Sequence, residues 1–160
     1  MTPFRAGFTF LLIVAVSLGP SFTAFAENKK AASLKFILVD VDSQKLAAMD
    51  DYKSVYIFNV VTGRPGKETT TGKYTIFKKH EEYTSKTYDV PMPYSMFFSK
   101  DGKAIHGTGW ATLRSFLHTY LTESVGSQGC VGLTEEDAKT LFAWAPVGTP
   151  VVILDMAEED

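Results

Sequence analysis

The chain reads as a mostly β domain with one or two helices late in its length, and three observations say so. Runs rich in β-branched and aromatic residues recur at 34–41, 54–61 and 149–154. Strong turn signals separate such runs at Thr62-Gly63-Arg64-Pro65-Gly66 and at Lys100-Asp101-Gly102-Lys103. Apolar residues at helical spacing are confined to two segments beyond residue 110.

In chain order, 34–41 is a first strand ending at Asp42-Ser43, and 45–49 is a short partner that makes a hairpin with it. Residues 54–61 form a third strand, and 73–77 continue the β pattern after the Thr62–Gly66 turn. Residues 81–90 are a polar excursion at a hairpin or flap. Tyr94-Ser95-Met96-Phe97-Phe98 and 103–107 are the two arms around the Lys100–Lys103 turn. Leu113, Phe116, Leu117 and Tyr120 predict a helix over 111–121. Thr134 supplies an N-cap hydroxyl for a second helix, and Glu135, Glu136 and Asp137 lie in its first turn, where the helix dipole favours acids. Ala138, Leu141, Phe142 and Ala145 are its buried stripe, with Trp144 as core or half-buried packing. Pro146 and Gly148 end that helix, and 149–154 return as a strand.

The N-terminus has the pattern of an export signal: Arg5, an apolar run over 8–18, Gly19-Pro20, and Ala24-Phe25-Ala26. Cleavage is expected after Ala26, because the apolar run is shorter than the roughly 20 residues of a spanning helix. Residues 27–33 are then a short tether and 34–160 a single domain, with no membrane span after cleavage. The mature chain has 134 residues (160 − 26); it loses only Arg5, so its formal charge is −3 (15 Lys+Arg against 18 Asp+Glu). That balance excludes nucleic acid as the expected partner, since phosphate binding needs clustered excess Lys and Arg. Glu158-Glu159-Asp160 is read as a solvated tail.

Cys130 is the only cysteine. An exported protein cannot use a single thiol for an internal disulfide, so the thiol is inert and buried, a crosslink to another chain, or a nucleophile. Its surroundings, Ser127-Gln128-Gly129-Cys130-Val131, point to the nucleophile. Gly129 lets the backbone approach a substrate, and N–H groups around Gly129 and Cys130 are candidate oxyanion donors. His106, in Ile105-His106-Gly107-Thr108 at a strand end, is the candidate base that takes the thiol proton. The three histidines are far apart in sequence and no Cys-x-x-Cys is present, so neither a metal site nor a cofactor is expected. Thr69 to Gly72 lacks the Lys-Ser/Thr ending of a phosphate loop.

The order of these blocks carries a resemblance. Val61-Thr62-Gly63, Thr69-Thr70-Thr71-Gly72-Lys73-Tyr74 and Met92-Pro93-Tyr94-Ser95-Met96-Phe97 precede the His-Gly and Ser-x-Gly-Cys blocks, and Val147-Gly148-Thr149-Pro150-Val151 follows them. Over 34–154 the sequence resembles the L,D-transpeptidase catalytic domain (YkuD) family of bacterial cell-wall enzymes. The resemblance implies a β-sandwich-like domain with the cysteine in a cleft, in the periplasm or cell envelope. It implies attack on a peptidoglycan stem tetrapeptide at the carbonyl of its third residue, usually a meso-diaminopimelate. D-Alanine leaves, and the thioester is resolved by an amine of a neighbouring stem or of a wall-anchored acceptor protein. By that resemblance Cys130 is the nucleophile, His106 the base, and Gly107 the residue whose carbonyl orients the imidazole. Ser127 and Gly129 belong to the oxyanion-side loop, and Tyr94 and Met96 line the cleft.

The sequence departs from the family pattern in three places. Gln128 stands where histidine is common, Gly132 stands where arginine is common, and the stretch from His106 to Ser127 is longer by roughly one or two helical turns. The segment from Trp110 to Leu121 supplies the excess, with Trp110 as a cleft wall or a core residue. Arg114 or His118 is a candidate replacement for the missing cation, against the plainer reading that both face solvent. His118 is also a lesser candidate base, and His80, beside Lys78 and Lys79, is read as a solvated surface residue. The same acyl-enzyme released to water gives an L,D-carboxypeptidase or amidase. A third alternative is a non-catalytic wall-binding member.

Overall fold

A computed structural model of the chain describes residues 33–108 and 127–156. Residues 1–26, expected to be an export signal, residues 27–32, the segment with Trp110, Arg114 and His118, and the Glu158–Asp160 end lie outside the described residues.

Lys35–Asp40 (β1), Lys45–Asp50 (β2) and Lys53–Asn59 (β3) form an antiparallel meander. Asp51 and Tyr52, both at positive φ (47° and 63°), make the tight turn between β2 and β3, the backbone shape that matches strand twist. Gly72–Thr75 (β4) comes next, and Pro150–Leu154 (β9) closes the sheet by pairing parallel to β1 and antiparallel to β4. The five-stranded order is β3-β2-β1-β9-β4. After β4 the chain leaves this sheet at Ile76 and enters a second one as Lys78–His80 (β5). Ser95–Phe97 (β6), Ala104–Thr108 (β7) and Val131–Thr134 (β8) complete a sheet of order β5-β6-β7-β8, antiparallel except for the parallel pair β7/β8.

One apolar core joins the two sheets. Ile37, Leu46, Val151 and Ile153 from the first pack in one cluster with Met96, Ile105, Val131 and Leu133 from the second. Each such fully buried side chain contributes roughly 1.5–3 kcal/mol through water release. Glu135–Trp144 (α1) packs its Ala138 and Leu141 into the same cluster. The helix starts as the sequence predicts, with Thr134 Oγ1 accepting the Asp137 N–H at 3.1 Å. Lys79 bridges to its far end, donating to the carbonyls of Phe142 (2.5 Å) and Ala145 (2.6 Å), which the helix itself leaves unpaired. Trp144 is half-buried against the core, with the Lys35 ammonium 4.9 Å from its ring centre.

Two details position the site. Val61 pairs with Gly132 through bonds of 2.9 and 2.8 Å, so the segment after β3 covers the outer edge of β8. The 81–90 excursion folds back on itself, closed by Ser85 N–H to Val90 O (2.9 Å) and Met92 N–H to Tyr83 O (2.7 Å). Among the described residues, no helix is long and apolar enough to cross a membrane.

Candidate active site

Cys130 ends a tight loop whose shape is set by three hydroxyl and glycine contacts. Ser127 Oγ accepts the Gly129 N–H at 3.0 Å and donates to the Cys130 carbonyl. Gly129 takes φ +98°, a conformation that L side chains rarely adopt. A Cβ there would also lie 2.7 Å from Lys103 Cε and 3.2 Å from the Glu68 carbonyl oxygen. Buried Thr69 ties the loop to the turn after β3, accepting from Gly63 N–H at 2.9 Å and donating to the Gly129 carbonyl at 3.1 Å. The Thr-Gly and Thr-Thr-Thr-Gly blocks thus converge on the cysteine loop. The Ser127 hydroxyl occupies the Gly129 N–H, so of the two candidate oxyanion donors the one left to a substrate is that of Cys130.

His106 lies in the middle of β7 and is only 9% exposed. Its Nδ1 is 2.8 Å from the Gly107 carbonyl oxygen. A carbonyl can only accept, so Nδ1 carries the proton and Nε2 is left as the basic nitrogen. Gly107 N–H in turn donates to Pro93 O at 2.8 Å, and a Cβ on Gly107 would stand 3.1 Å from both Glu135 Cα and Pro93 Cγ. The carbonyl that holds the ring is therefore itself held between α1 and the loop before β6.

The parallel register sets His106 opposite Gly132, two residues beyond Cys130. Side chains alternate along a strand, so His106 and Cys130 share a face as diagonal neighbours, roughly 8 Å apart at Cα from strand spacing and rise. β8 begins one residue after the cysteine, which leaves the Ala104 amide to the sulfur. Among the described residues no hydrogen bond joins the imidazole to the thiol. Burial lowers the His106 pKa below its ordinary 6.5, against the raising effect of the Gly107 carbonyl. Burial likewise raises the Cys130 pKa above its ordinary 9.0; Asp101 adds to this, and the Ala104 amide and Lys103 oppose it. Both groups are thus neutral at pH 7, a thiol beside an imidazole base.

Cys130 opens onto a cleft of about 440 Å³ with a charged lining that includes Lys67, Glu68, Asp101 and Lys103. Tyr88, from the 81–90 excursion, and Gln128 are also in its walls, with Gly66, Thr70 and Gly102. Beneath the sulfur lies a small apolar cluster of Met92, Phe97 and Ala104, joined by Tyr83. Among the described residues, no group of three or more His, Cys, Asp or Glu is placed to hold a metal.

Two expected cleft residues are elsewhere. Met96 pairs with Ile105 and points into the core between the sheets, fully buried. Tyr94 packs against the same core with its ring edge-on to Phe142 of α1, centroids 5.7 Å apart. Strand parity is the reason: on β6 it is Ser95 and Phe97 that share the sheet face of Ala104 and His106. His80 also differs from expectation. It is half-buried, stacked on Tyr83 at 5.5 Å and edge-on to Phe97 at 6.1 Å, with an unpartnered buried Nε2. Trp110 and Arg114 fall outside the described residues. Sequence reasoning missed Tyr88, Glu68, Asp101 and Lys103, although Lys103 directly precedes the residue that lies beside the sulfur.

Two sheets sharing one core, with this late helix, form the architecture of L,D-transpeptidase catalytic domains. The sequence matches the family described as L,D-transpeptidase catalytic domain (YkuD) over residues 34–153, and the chain belongs to that family. It is 27% identical over 136 residues to the putative L,D-transpeptidase YqjB of Bacillus subtilis, covering 75% of this chain and 71% of that protein. A crystal structure of an L,D-transpeptidase from Stackebrandtia nassauensis is similar at a TM-score of 0.64 and 30% identity, over 83% of this chain and 61% of that one. A cysteine-to-serine mutant of an Enterococcus faecium L,D-transpeptidase gives a TM-score of 0.64 at 25% identity, over 75% and 49%. The chain spans less than two thirds of either solved chain.

Proposed function

We propose that this protein is an exported cysteine L,D-transpeptidase that acts on peptidoglycan stem tetrapeptides through a thioester on Cys130. The observation that carries the reading is a lone thiol at the mouth of a charged cleft, with a neutral imidazole fixed by Gly107 on the neighbouring strand. Family membership supplies the reaction class, and the site supplies a role for each residue.

In the acylation half, Cys130 Sγ attacks the carbonyl carbon of the third stem residue while its proton passes to His106 Nε2. The carbonyl oxygen becomes an oxyanion facing the Cys130 N–H; loss of one such donor in other enzymes costs about 3–4 kcal/mol of transition-state stabilisation. The carbon–nitrogen bond to the terminal D-alanine breaks, and the imidazolium returns its proton to that leaving amine. In the second half an acceptor amine attacks the thioester and gives a proton to His106. The carbon–sulfur bond breaks, and the same proton restores the thiol. The acceptor is a side-chain amine of a second stem or of a wall-anchored protein. Hydrogen bonds missing from a substrate-free site commonly form only with substrate bound, and the sulfur–imidazole contact is of that kind.

Incubation of the purified protein with tetrapeptide muropeptides tests the reading by product analysis. Crosslinked dimers are expected. Free tripeptide alone identifies a hydrolase built on the same acyl-enzyme, and binding without turnover identifies a non-catalytic wall-binding member.

A further inference from the structure

Two ionic groups beside the sulfur have no part in the chemistry above. The Lys103 stem lies across Gly129, where only the absence of a Cβ leaves room for it. Its ammonium donates to Thr70 Oγ1 at 3.2 Å and is 3.4 Å from Asp101 Oδ2. The Lys103 side chain is 22% exposed and that of Asp101 57%, and both line the cleft with Cys130. A lysine has three N–H donors, so two contacts leave one for a ligand. Both charges act on the thiol: Asp101 raises its pKa and Lys103 lowers it. Asp101 is held ionised, chiefly by the Ser99 hydroxyl and further by Lys103.

A cation and an anion 3.4 Å apart mirror the ammonium and carboxylate of a free α-amino-acid end group, which are separated by a similar distance. The partly exposed Lys103–Asp101 pair is itself worth only about 0–1 kcal/mol, so a zwitterion can exchange into it with little loss. At Gly132, where the family resemblance leads one to expect arginine, a Cβ would lie 2.9 Å from Thr108 Cγ2, so any larger side chain has to displace that methyl group. We propose that Lys103 and Asp101 form an ionic clamp that selects the acyl donor, Lys103 receiving the side-chain carboxylate of its third residue and Asp101 the ammonium on the same carbon. This rests on the transpeptidase reading and adds the residues that set donor preference. The terminal D-alanine offers a carboxylate too, but its nitrogen is a neutral amide, which gives Asp101 at most an uncharged hydrogen bond and no ion pair.

The test compares kcat/KM for wild type, Lys103→Met, Lys103→Arg and Asp101→Asn on three donors. These are the free tetrapeptide, the form amidated at the third residue's side-chain carboxylate, and the form amidated at the terminal carboxylate. Methionine retains an unbranched stem over Gly129, so Lys103→Met removes the charge with little change in packing. Wild type is expected to prefer the free donor over the side-chain amide by roughly 10- to 100-fold, the value of one charged hydrogen bond. Lys103→Met abolishes that preference, Lys103→Arg keeps it, and Asp101→Asn lowers kcat/KM on all three donors, each of which carries the ammonium. A Lys103→Met enzyme with the wild-type preference overturns the clamp, as does a preference lost only against the terminal amide. Alkylation of Cys130 by iodoacetate relative to iodoacetamide gives a readout independent of turnover. The ratio should fall in Lys103→Met, and an unchanged ratio also overturns the clamp. No turnover with any donor, together with a falling ratio, refutes the transpeptidase reading and the donor assignment while leaving the cation beside the sulfur.

Discussion

Met96, Ile105, Val131 and Leu133 fill one face of the four-stranded sheet, whereas Ser95, Phe97, Ala104, His106 and Gly132 occupy the other. These four core side chains are aliphatic or thioether and at most 2% exposed. The second mixes the Phe97 ring, small residues and two imidazoles, His106 buried and His80 half-buried opposite Ser95, with the thiol at its margin. Side-chain alternation lets the same backbone do both jobs: β7 uses Ile105 to join the two sheets and His106, one residue on, to face the sulfur. The core face fixes where the strands lie, and the face that carries His106 inherits that placement. A neutral, carbonyl-anchored base on a strand whose other side is packed has little freedom to drift.

Substitutions that separate the faces sharpen the comparison. The largest expected effect is on the face opposite the core: His106→Ala lowers kcat/KM by roughly 10²- to 10⁴-fold, the usual weight of a general base. Wild-type kcat/KM should rise with pH on an acid limb lying below 6.5, because burial depresses the imidazole pKa and only the neutral ring accepts the thiol proton. The variant should lack that limb in a steady-state pH profile, and a wild-type limb above 6.5 would contradict the burial argument. Ile105→Ala, one position away, acts on stability instead. It should remove about 2–5 kcal/mol in urea unfolding, as truncation of a packed core side chain does.

A smaller effect is expected where the faces meet the covering segment. Gly132→Ala forces a methyl group to within 2.9 Å of Thr108 Cγ2, an overpacking worth about 1–3 kcal/mol. Thr108→Ser removes that methyl and retains the hydroxyl that donates to the Leu133 carbonyl, so the double variant should recover most of the loss. Additive losses in a double-mutant cycle would show that the two sites do not touch.

The same comparison explains what was legible in the sequence. The strands at β1 to β4, β6, β7 and β9 and the capped helix could be read because their patterns or punctuation are local. The break between β4 and β5 could not, since Ile76 and Phe77 continue the apolar run while the chain changes sheets. β8 escaped notice because it is four residues long, contains Gly132 and runs straight into the Thr134 cap. The pattern around His106 and Cys130 was recognisable from block order. Assigning Met96 to the cleft failed because Met96, Phe97 and Phe98 are all large and apolar, so sequence alone does not say which of them faces the core. Lys103, Asp101 and Glu68 reach the cleft only through the way three loops meet. His80 gave a polar local signal, but its surroundings come from Tyr83 and Phe97 on other elements.

The central claim is that Cys130 becomes acylated. Intact-protein mass spectrometry after mixing with a stem tetrapeptide whose side-chain amine is acetylated, so that no acceptor amine is present, is the measurement that decides it. The account predicts a mass increase equal to the acetylated tripeptide acyl group, located at Cys130 and missing in Cys130→Ala. An unmodified wild-type protein, or an adduct that survives in Cys130→Ala, would contradict it.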